Sequence, residues 1–298
     1  MIKAIINVQG GLGNQLFQYA FGQSIKRKWN CEVLYNLSWY SDMGSDTPRE
    51  HSLQGLFNID LLQKESIFNK KIFKSRYAQN IFNKVTLGTR IEFRTEKDFN
   101  FSSSYQRSPI YASNVIFNGF WQSPEYFNFF CKDLKKEFSN CSQEISSSPI
   151  ARKINETKNS ISIHVRRGDF VTNIATKSYH ETCSIAYYEK AIQYFKKKYG
   201  NTPKFFIFSD DIEWAKENIK SDNDMYFLDS SYELSDTNEL FLMSMCQNHI
   251  IANSSFSWWA AWIGDHKCGT TIRPEKWYKT KTQPSTLFPK EWLSIENH

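Results

Sequence analysis

The chain has 298 residues, of which 40% are hydrophobic, 16% aromatic and 23% charged, a composition that excludes disordered, collagen-like and low-complexity classes and suits about two domains. Its net charge of +6 is uneven, with 18 basic against 13 acidic residues in positions 1 to 150 and 19 against 18 in the remainder. No apolar run reaches the roughly 18 residues that span a bilayer, and the first apolar segment reads as a strand, so neither a signal peptide nor a membrane span is expected.

The six cysteines are scattered, with no C-x-x-C spacing and no histidine-rich neighbourhood, so they read as reduced thiols of a cytoplasmic protein rather than zinc ligands. The chain opens with a strand, Ala4 to Val8, then a glycine turn, a helix from about Asn14 to Trp29 and a strand from Glu32 to Asn36. Residues 40 to 110 are irregular and aromatic. Within them, Lys64 to Arg107 holds ten basic and four acidic residues interleaved with aromatics. That stretch fits either a solvated amphipathic face or a peripheral contact with anionic lipid at the inner membrane face. A strand from Asn114 to Asn118 and a helix from Ser123 to Phe138 follow, and a serine-rich stretch before Ile150 marks the expected boundary between lobes 1–150 and 151–298.

The second half alternates regularly. Strands are expected at Ser160 to Val165, Lys204 to Ser209, Met225 to Asp229, His249 to Asn253 and Thr270 to Arg273, with helices between them at Ile185 to Lys198, Asp211 to Ile219, Asp236 to Cys246 and Phe256 to Ile263. Short apolar strands alternating with helices predict an α/β fold of right-handed βαβ units with parallel sheets covered on both faces.

Three junctions carry chemistry. The loop Gln9-Gly10-Gly11-Leu12-Gly13-Asn14 opens a helix, where backbone N–H groups can meet an anion, yet it lacks both the Walker lysine and the third glycine of a dinucleotide fingerprint. The strand Ser160 to Val165 runs into Arg166-Arg167-Gly168-Asp169. Its alternation places Ser162, His164 and Arg166 on one face and turns Arg167 away, toward an acidic partner. A guanidinium at a strand's carboxyl end suits a diphosphate, while a structural ion pair of either arginine with Asp169 is the alternative. At the end of the next strand, one of Asp210 and Asp211 caps a helix and the other is free to accept from a guanine edge. Asn253, Ser254, Ser255 and Ser257 form a third polar cluster at a helix start. Trp258, Trp259 and Trp262 read as packing, and Asp222-Asn223-Asp224, a D-x-D ahead of a strand, as a solvated turn.

The segments GGLGNQLFQYAFG (Gly10 to Gly22), HVRRGDF (His164 to Phe170), FSDDIEW (Phe208 to Trp214) and ANSSFSWWAAW (Ala252 to Trp262) together resemble the bacterial alpha-1,2-fucosyltransferases, glycosyltransferase family 11. The resemblance implies a GT-B-like fold of two facing Rossmann-type lobes, the first on the acceptor side and the second binding GDP-L-fucose. It also implies inverting transfer to the 2-hydroxyl of a terminal beta-galactoside, without metal or other cofactor, in O-antigen or other surface glycan synthesis, with the acceptor either lipid-linked or free. By position, Arg166 then meets the β-phosphate, His164 lies against the nucleotide, and Asp211, or the adjacent Asp210, reads guanine. Asn253, Ser255 and Ser257 belong to the donor site, and Gly11, Gly13 and Asn14 form the first-lobe loop. The general base is Asp169 or, second, His180. The family usually shows glycine after the histidine of an H-G-x-C-S segment, where this chain has His180-Glu181. A transferase of another linkage and a non-catalytic guanine-nucleotide module are the competing readings, and no nucleic-acid partner is expected.

Overall fold

A computed structural model describes residues 2–43, 48–62, 91–168, 182–265, 269–279 and 283–297. Asp169, His180, Cys268 and most of the basic stretch from Lys64 to Arg107 lie outside the described residues. The chain divides into two units, Met1–Leu134 with Ser285–Phe288, and Lys135–Pro284 with Pro289–His298.

The first unit is built on a four-stranded parallel sheet in the order β2-β1-β4-β3. Its strands are β1 (Lys3–Asn7), β2 (Glu32–Asn36), β3 (Ile91–Thr95) and β4 (Asn114–Asn118), and helix α1 (Leu12–Trp29) crosses over from β1 to β2. Phe17, Phe21, Phe117, Trp121 and Tyr126 fill the space against the sheet, with Phe21 stacked on Trp121 at 4.2 Å between centroids. The helix expected from Ser123 starts later. Pro124–Tyr126 and Asn128–Phe130 are two single 3-10 turns separated by the non-helical backbone of Phe127, and α2 runs only over Cys131–Cys141. Ser123 caps the first of these turns, its hydroxyl accepting from the Glu125 N–H at 3.3 Å and donating to the Thr286 carbonyl at 2.9 Å.

The chain passes into the second unit inside α2, at Leu134, and not at 150. The end of α2 packs on the tryptophan helix: Phe138 lies 5.4 Å from Trp259, and Lys135 pairs with Asp265 at 3.5 Å. Helix α3 (Pro149–Glu156) leads to a six-stranded, all-parallel sheet in the order β10-β9-β8-β5-β6-β7. These strands are β5 (Ser160–Val165), β6 (Lys204–Ser209), β7 (Met225–Phe227), β8 (Asn248–Ile250), β9 (Thr271–Pro274) and β10 (Leu293–Ile295). The crossing helices are α4 (Ile185–Tyr199), α5 (Ile212–Asn218), α6 (Asp236–Met245) and α7 (Ser255–Gly264). Each caps with its own preceding polar side chain, Ser184, Asp211, Ser235 and Ser254, which satisfies first-turn N–H groups and fixes where each helix begins. All six residues of β5 are buried, so the sheet is covered on both faces. Trp258 and Trp262 stack at 6.1 Å within that cover, as packing residues.

Candidate active site

In the second unit, β5 and β6 pair in parallel with Val165 opposite Ser209, so Arg166-Arg167 and Asp210-Asp211 leave the sheet side by side at its carboxyl edge. Arg166 Nη1 lies 2.9 Å from Asp210 Oδ2. The Arg167 N–H donates to Asp210 Oδ1 at 2.8 Å, its Nε donates to Asp211 Oδ2 at 3.2 Å, and its guanidinium sits 4.0 Å over the Trp214 ring. The two arginines part as the strand period requires, and Arg167 takes an acidic partner and an aromatic floor. Each arginine is paired across to the next strand. A Cβ on Gly168 would come within 2.7 Å of Asp210 Oδ2, so glycine permits this close approach.

Asp211 is the cap of α5: its Oδ1 accepts from the Trp214 N–H at 3.3 Å while Oδ2 holds Arg167. His164, at the end of β5, is buried with its ring 5.6 Å from that of Phe256. Burial first, and the Arg166 charge second, push its imidazole down to about 3, so it stays neutral, and its Nδ1 has no partner among the described residues.

The polar cluster after β8 is mostly engaged within the protein. Asn253 donates to the Trp277 carbonyl at 3.2 Å and accepts from the Cys183 thiol at 3.8 Å. Ser254 caps α7, and the Ser257 hydroxyl is directed at the Ala252 and Ser254 carbonyls at 3.5 and 3.3 Å. Ser255 holds the first position of the helix. Asp222 and Asp224 occupy the exposed turn before β7, where hydrogen bonds from Lys196 and Lys204 hold their carboxyls below the usual range.

One carboxylate at this edge escaped the sequence reading. Glu239, in the first turns of α6, is half-buried and pushed up to about 7 by burial, and then by the charges of Asp236 and Asp210. Its carboxyl has no hydrogen-bond partner among the described residues. An acid near a helix start passes for a dipole effect. The available signal was its place three and four residues before the buried Leu242 and Met243, on the inward face of the helix.

In the first unit, Gly10 adopts φ +84° and turns its carbonyl inward, accepting from Gln15 Nε2 at 3.1 Å and Tyr40 Oη at 2.8 Å. The buried Gln18 accepts from the Gln9 N–H at 3.0 Å and donates to the Gly119 carbonyl at 3.0 Å. With the carbonyl turned away, the N–H groups of Gly11, Leu12 and Gly13 have no acceptor among the described residues, which leaves an anion-seeking helix start. Gly13 is buried, and Asn14 accepts from Gln122 Nε2 at 2.8 Å. An amide ladder joins neighbouring strand ends beneath: Asn36 donates to Asn7 at 2.7 Å, and Asn7 to Asn118. Past β3, Glu96 accepts from the N–H groups of Phe120 at 2.7 Å and Trp121 at 3.2 Å, and burial pushes it up to about 7. Gln15, Gln18, the asparagine ladder and Glu96 were not legible beforehand, since polar residues in apolar runs give no period of their own.

Two Rossmann-type parallel sheets, each with polar groups gathered at its carboxyl edge, define a GT-B-like α/β glycosyltransferase fold. A solved structure of Arabidopsis thaliana FUT1 in complex with GDP shares that fold, with a TM-score of 0.53 and 13% identity over 97% of this chain and 76% of that one. The sequence matches the family model Glycosyl transferase family 11 over residues 3–296, and the chain belongs to that family. Among curated relatives, an alpha-1,2-colitosyltransferase of Escherichia coli is 34% identical over 99% of this chain and all of its own length. The O-antigen biosynthesis glycosyltransferase WbnK of Escherichia coli is 27% identical over 97% and 99%. The galactoside 2-alpha-L-fucosyltransferase SEC1 of Bos taurus is 23% identical over 97% of this chain and 73% of that protein. No helix of the described residues is long and apolar enough to cross a membrane.

Proposed function

We propose that this enzyme transfers L-fucose from GDP-L-fucose to the 2-hydroxyl of a terminal beta-galactoside, in the synthesis of an O-antigen or other surface glycan with a lipid-linked acceptor. The observation that carries the reading is the crossed pairing of Arg166 with Asp210 and Arg167 with Asp211 at the ends of β5 and β6. It fixes a guanidinium at the sheet edge where α/β domains take phosphates. The name of the Bos taurus relative supports the sugar and the linkage, and that of the colitosyltransferase supports the linkage.

In the proposed reaction the acceptor oxygen bonds to the fucose anomeric carbon while the bond to the β-phosphate oxygen breaks, and the electron pair leaves with GDP. The acceptor proton passes to Asp169 or His180, and the anomeric centre inverts. Arg166 offsets the charge growing on the diphosphate, an effect of roughly 3 to 4 kcal/mol for a preorganised donor, so no metal is required. Asp210 orients Arg166, His164 offers a neutral surface to the nucleotide, and Ser255 lies at the helix start beside it. For guanine, Asp211 is already engaged on both oxygens, so Glu239 is the better assignment: a carboxylate without a partner accepts both N–H groups of the guanine edge. The glycine loop of the first unit, Gly11 to Asn14, binds on the acceptor side.

A second donor is favoured by the 34% identity to a colitosyltransferase. Colitose is L-fucose without its 3-hydroxyl, so one pocket can hold either sugar. Supplying lactose with GDP-fucose or GDP-colitose and reading the product linkage by NMR tests both readings. An α-1,2 product from GDP-fucose supports the proposal, and an α-1,2 product from GDP-colitose alone replaces it with the second reading. A different linkage refutes it.

A further inference from the structure

The end of the first unit where its strands begin carries a surface that the transfer reaction does not use. Ile110 and Tyr111 are 84% and 85% exposed, by far the most exposed large apolar residues described. They stand on a short loop pinned at both ends. On one side the Trp29 indole donates to the Gln106 carbonyl at 2.9 Å and Arg94 donates to the Tyr105 carbonyl at 2.8 Å; on the other, the Lys3 N–H donates to the Ser113 carbonyl at 2.8 Å. The loop is therefore held out from the body, not collapsed onto it.

Beside it ends α1, whose last turn carries Lys26, Arg27 and Lys28. Arg27 sits 4.2 Å over the Phe130 ring and Lys28 5.0 Å over that of Phe129, itself 55% exposed. Lys28 also donates to the Gln106 side chain, which ties this turn to the root of the loop. Of the acids at this end, Glu32 pairs with Lys3 at 3.0 Å and Glu92 with Arg94 at 2.7 Å, while Asp133 is exposed and makes no ion pair among the described residues. Lys26, Lys28 and Arg107 have no carboxylate partner among the described residues.

We propose that this end of the first unit docks on an anionic phospholipid surface, with Ile110 and Tyr111 entering the headgroup boundary and Lys26, Lys28 and Arg107 meeting lipid phosphates. Single exposed apolar residues are ordinary on a protein surface. An aliphatic and an aromatic side chain projected together, beside a further phenylalanine and unmatched cations, combine the two forces that hold peripheral proteins on membranes. The surface lies at the opposite end of the first sheet from the glycine loop, so binding there leaves that loop open.

Co-sedimentation of the full chain with vesicles of phosphatidylcholine alone, or mixed equally with phosphatidylglycerol, tests it. Binding is expected only to the mixed vesicles and should fall steeply with added salt. Replacing both Ile110 and Tyr111 by serine should weaken it about tenfold at low salt, with an unchanged melting temperature showing that the fold is kept. Lys26→Glu with Arg107→Glu should abolish it. Absence of binding at low salt, equal binding to both vesicle types, or full binding by the serine variant overturns the proposal.

Discussion

Arg166 and Arg167 are neighbours with different surroundings, and substitution separates them. Lysine at 166 keeps one charge but not the planar fork that can meet Asp210 and a phosphate together. Arg166→Lys should lower kcat roughly 100-fold or more with a smaller change in donor KM, as for a group that acts mainly in the transition state. Arg167 stacks on Trp214 and holds the cap residue Asp211, so Arg167→Lys should lower the melting temperature more than it lowers kcat. A thermal melt beside steady-state kinetics on both variants checks this, and a folded but inactive Arg167 variant with an active Arg166 variant reverses the roles.

Glu239 gives a second contrast at this scale. Free, it is protonated below about 7, and only the carboxylate can accept two guanine donors, so GDP affinity should rise as pH rises through that value. Glu239→Gln should bind GDP more weakly, without that pH dependence, and should melt higher at pH 8, because a buried charge is removed. Asp211→Asn should bind nearly as well as the parent, since asparagine also caps a helix. Calorimetric titration across pH 5.5 to 8 reads all three, and loss of affinity in the Asp211 variant alone would return the guanine role to that residue.

Elements were more legible than partners. Lys204–Ser209, Glu32–Asn36, Asn114–Asn118 and Ser160–Val165 fall where apolar content and flanking turns put them, and the four crossing helices of the second unit begin and end within one residue of their expected bounds. Ile91–Thr95 was missed because Glu92 and Arg94 break its apolar run, although they pair with each other on the strand. Leu293–Ile295 was missed because three residues carry no pattern. Among the site residues, Arg166, His164 and the two aspartates were visible as strand ends. Which acid takes which arginine depends on the β5–β6 register, and no one-dimensional pattern reports that. The glycine after the arginines makes the register testable: Gly168→Ala should push Asp210 off Arg166, cutting kcat at least tenfold while moving the melting temperature little. Normal turnover in that variant would show that the Arg166–Asp210 contact is dispensable.

At the scale of the whole chain, Glu96 and Glu239 carry a common consequence. Both folded values lie near 7, above the 4.5 of a free carboxyl, so between those pH values the native state holds protons that the unfolded chain has released. These two groups therefore contribute stability that is lost as pH rises from about 4.5 to about 7, by up to roughly 3 kcal/mol for each fully expressed shift of this size, while His164, held neutral down to about 3, contributes in the opposite sense as pH rises toward 6.5. Urea unfolding of the parent and of the Glu96→Gln, Glu239→Gln double variant at pH 5 and pH 7.5 isolates their share, and an identical pH dependence in the two proteins contradicts the burial assigned to these two groups. The proposed metal-free mechanism is likewise tested on the complete enzyme: turnover should persist in EDTA, and restoration by manganese after its loss would turn attention to Asp222 and Asp224.

On the proposed function, the sugar leaves GDP for a galactoside and not for water. The most direct measurement is the rate of GDP release from GDP-fucose and from GDP-colitose, with and without lactose. Release from one of these donors that rises many-fold when lactose is added, with an equal amount of α-1,2-linked product, is the result expected. Release at the same rate with and without lactose, or no release from either donor while GDP still binds, would contradict it.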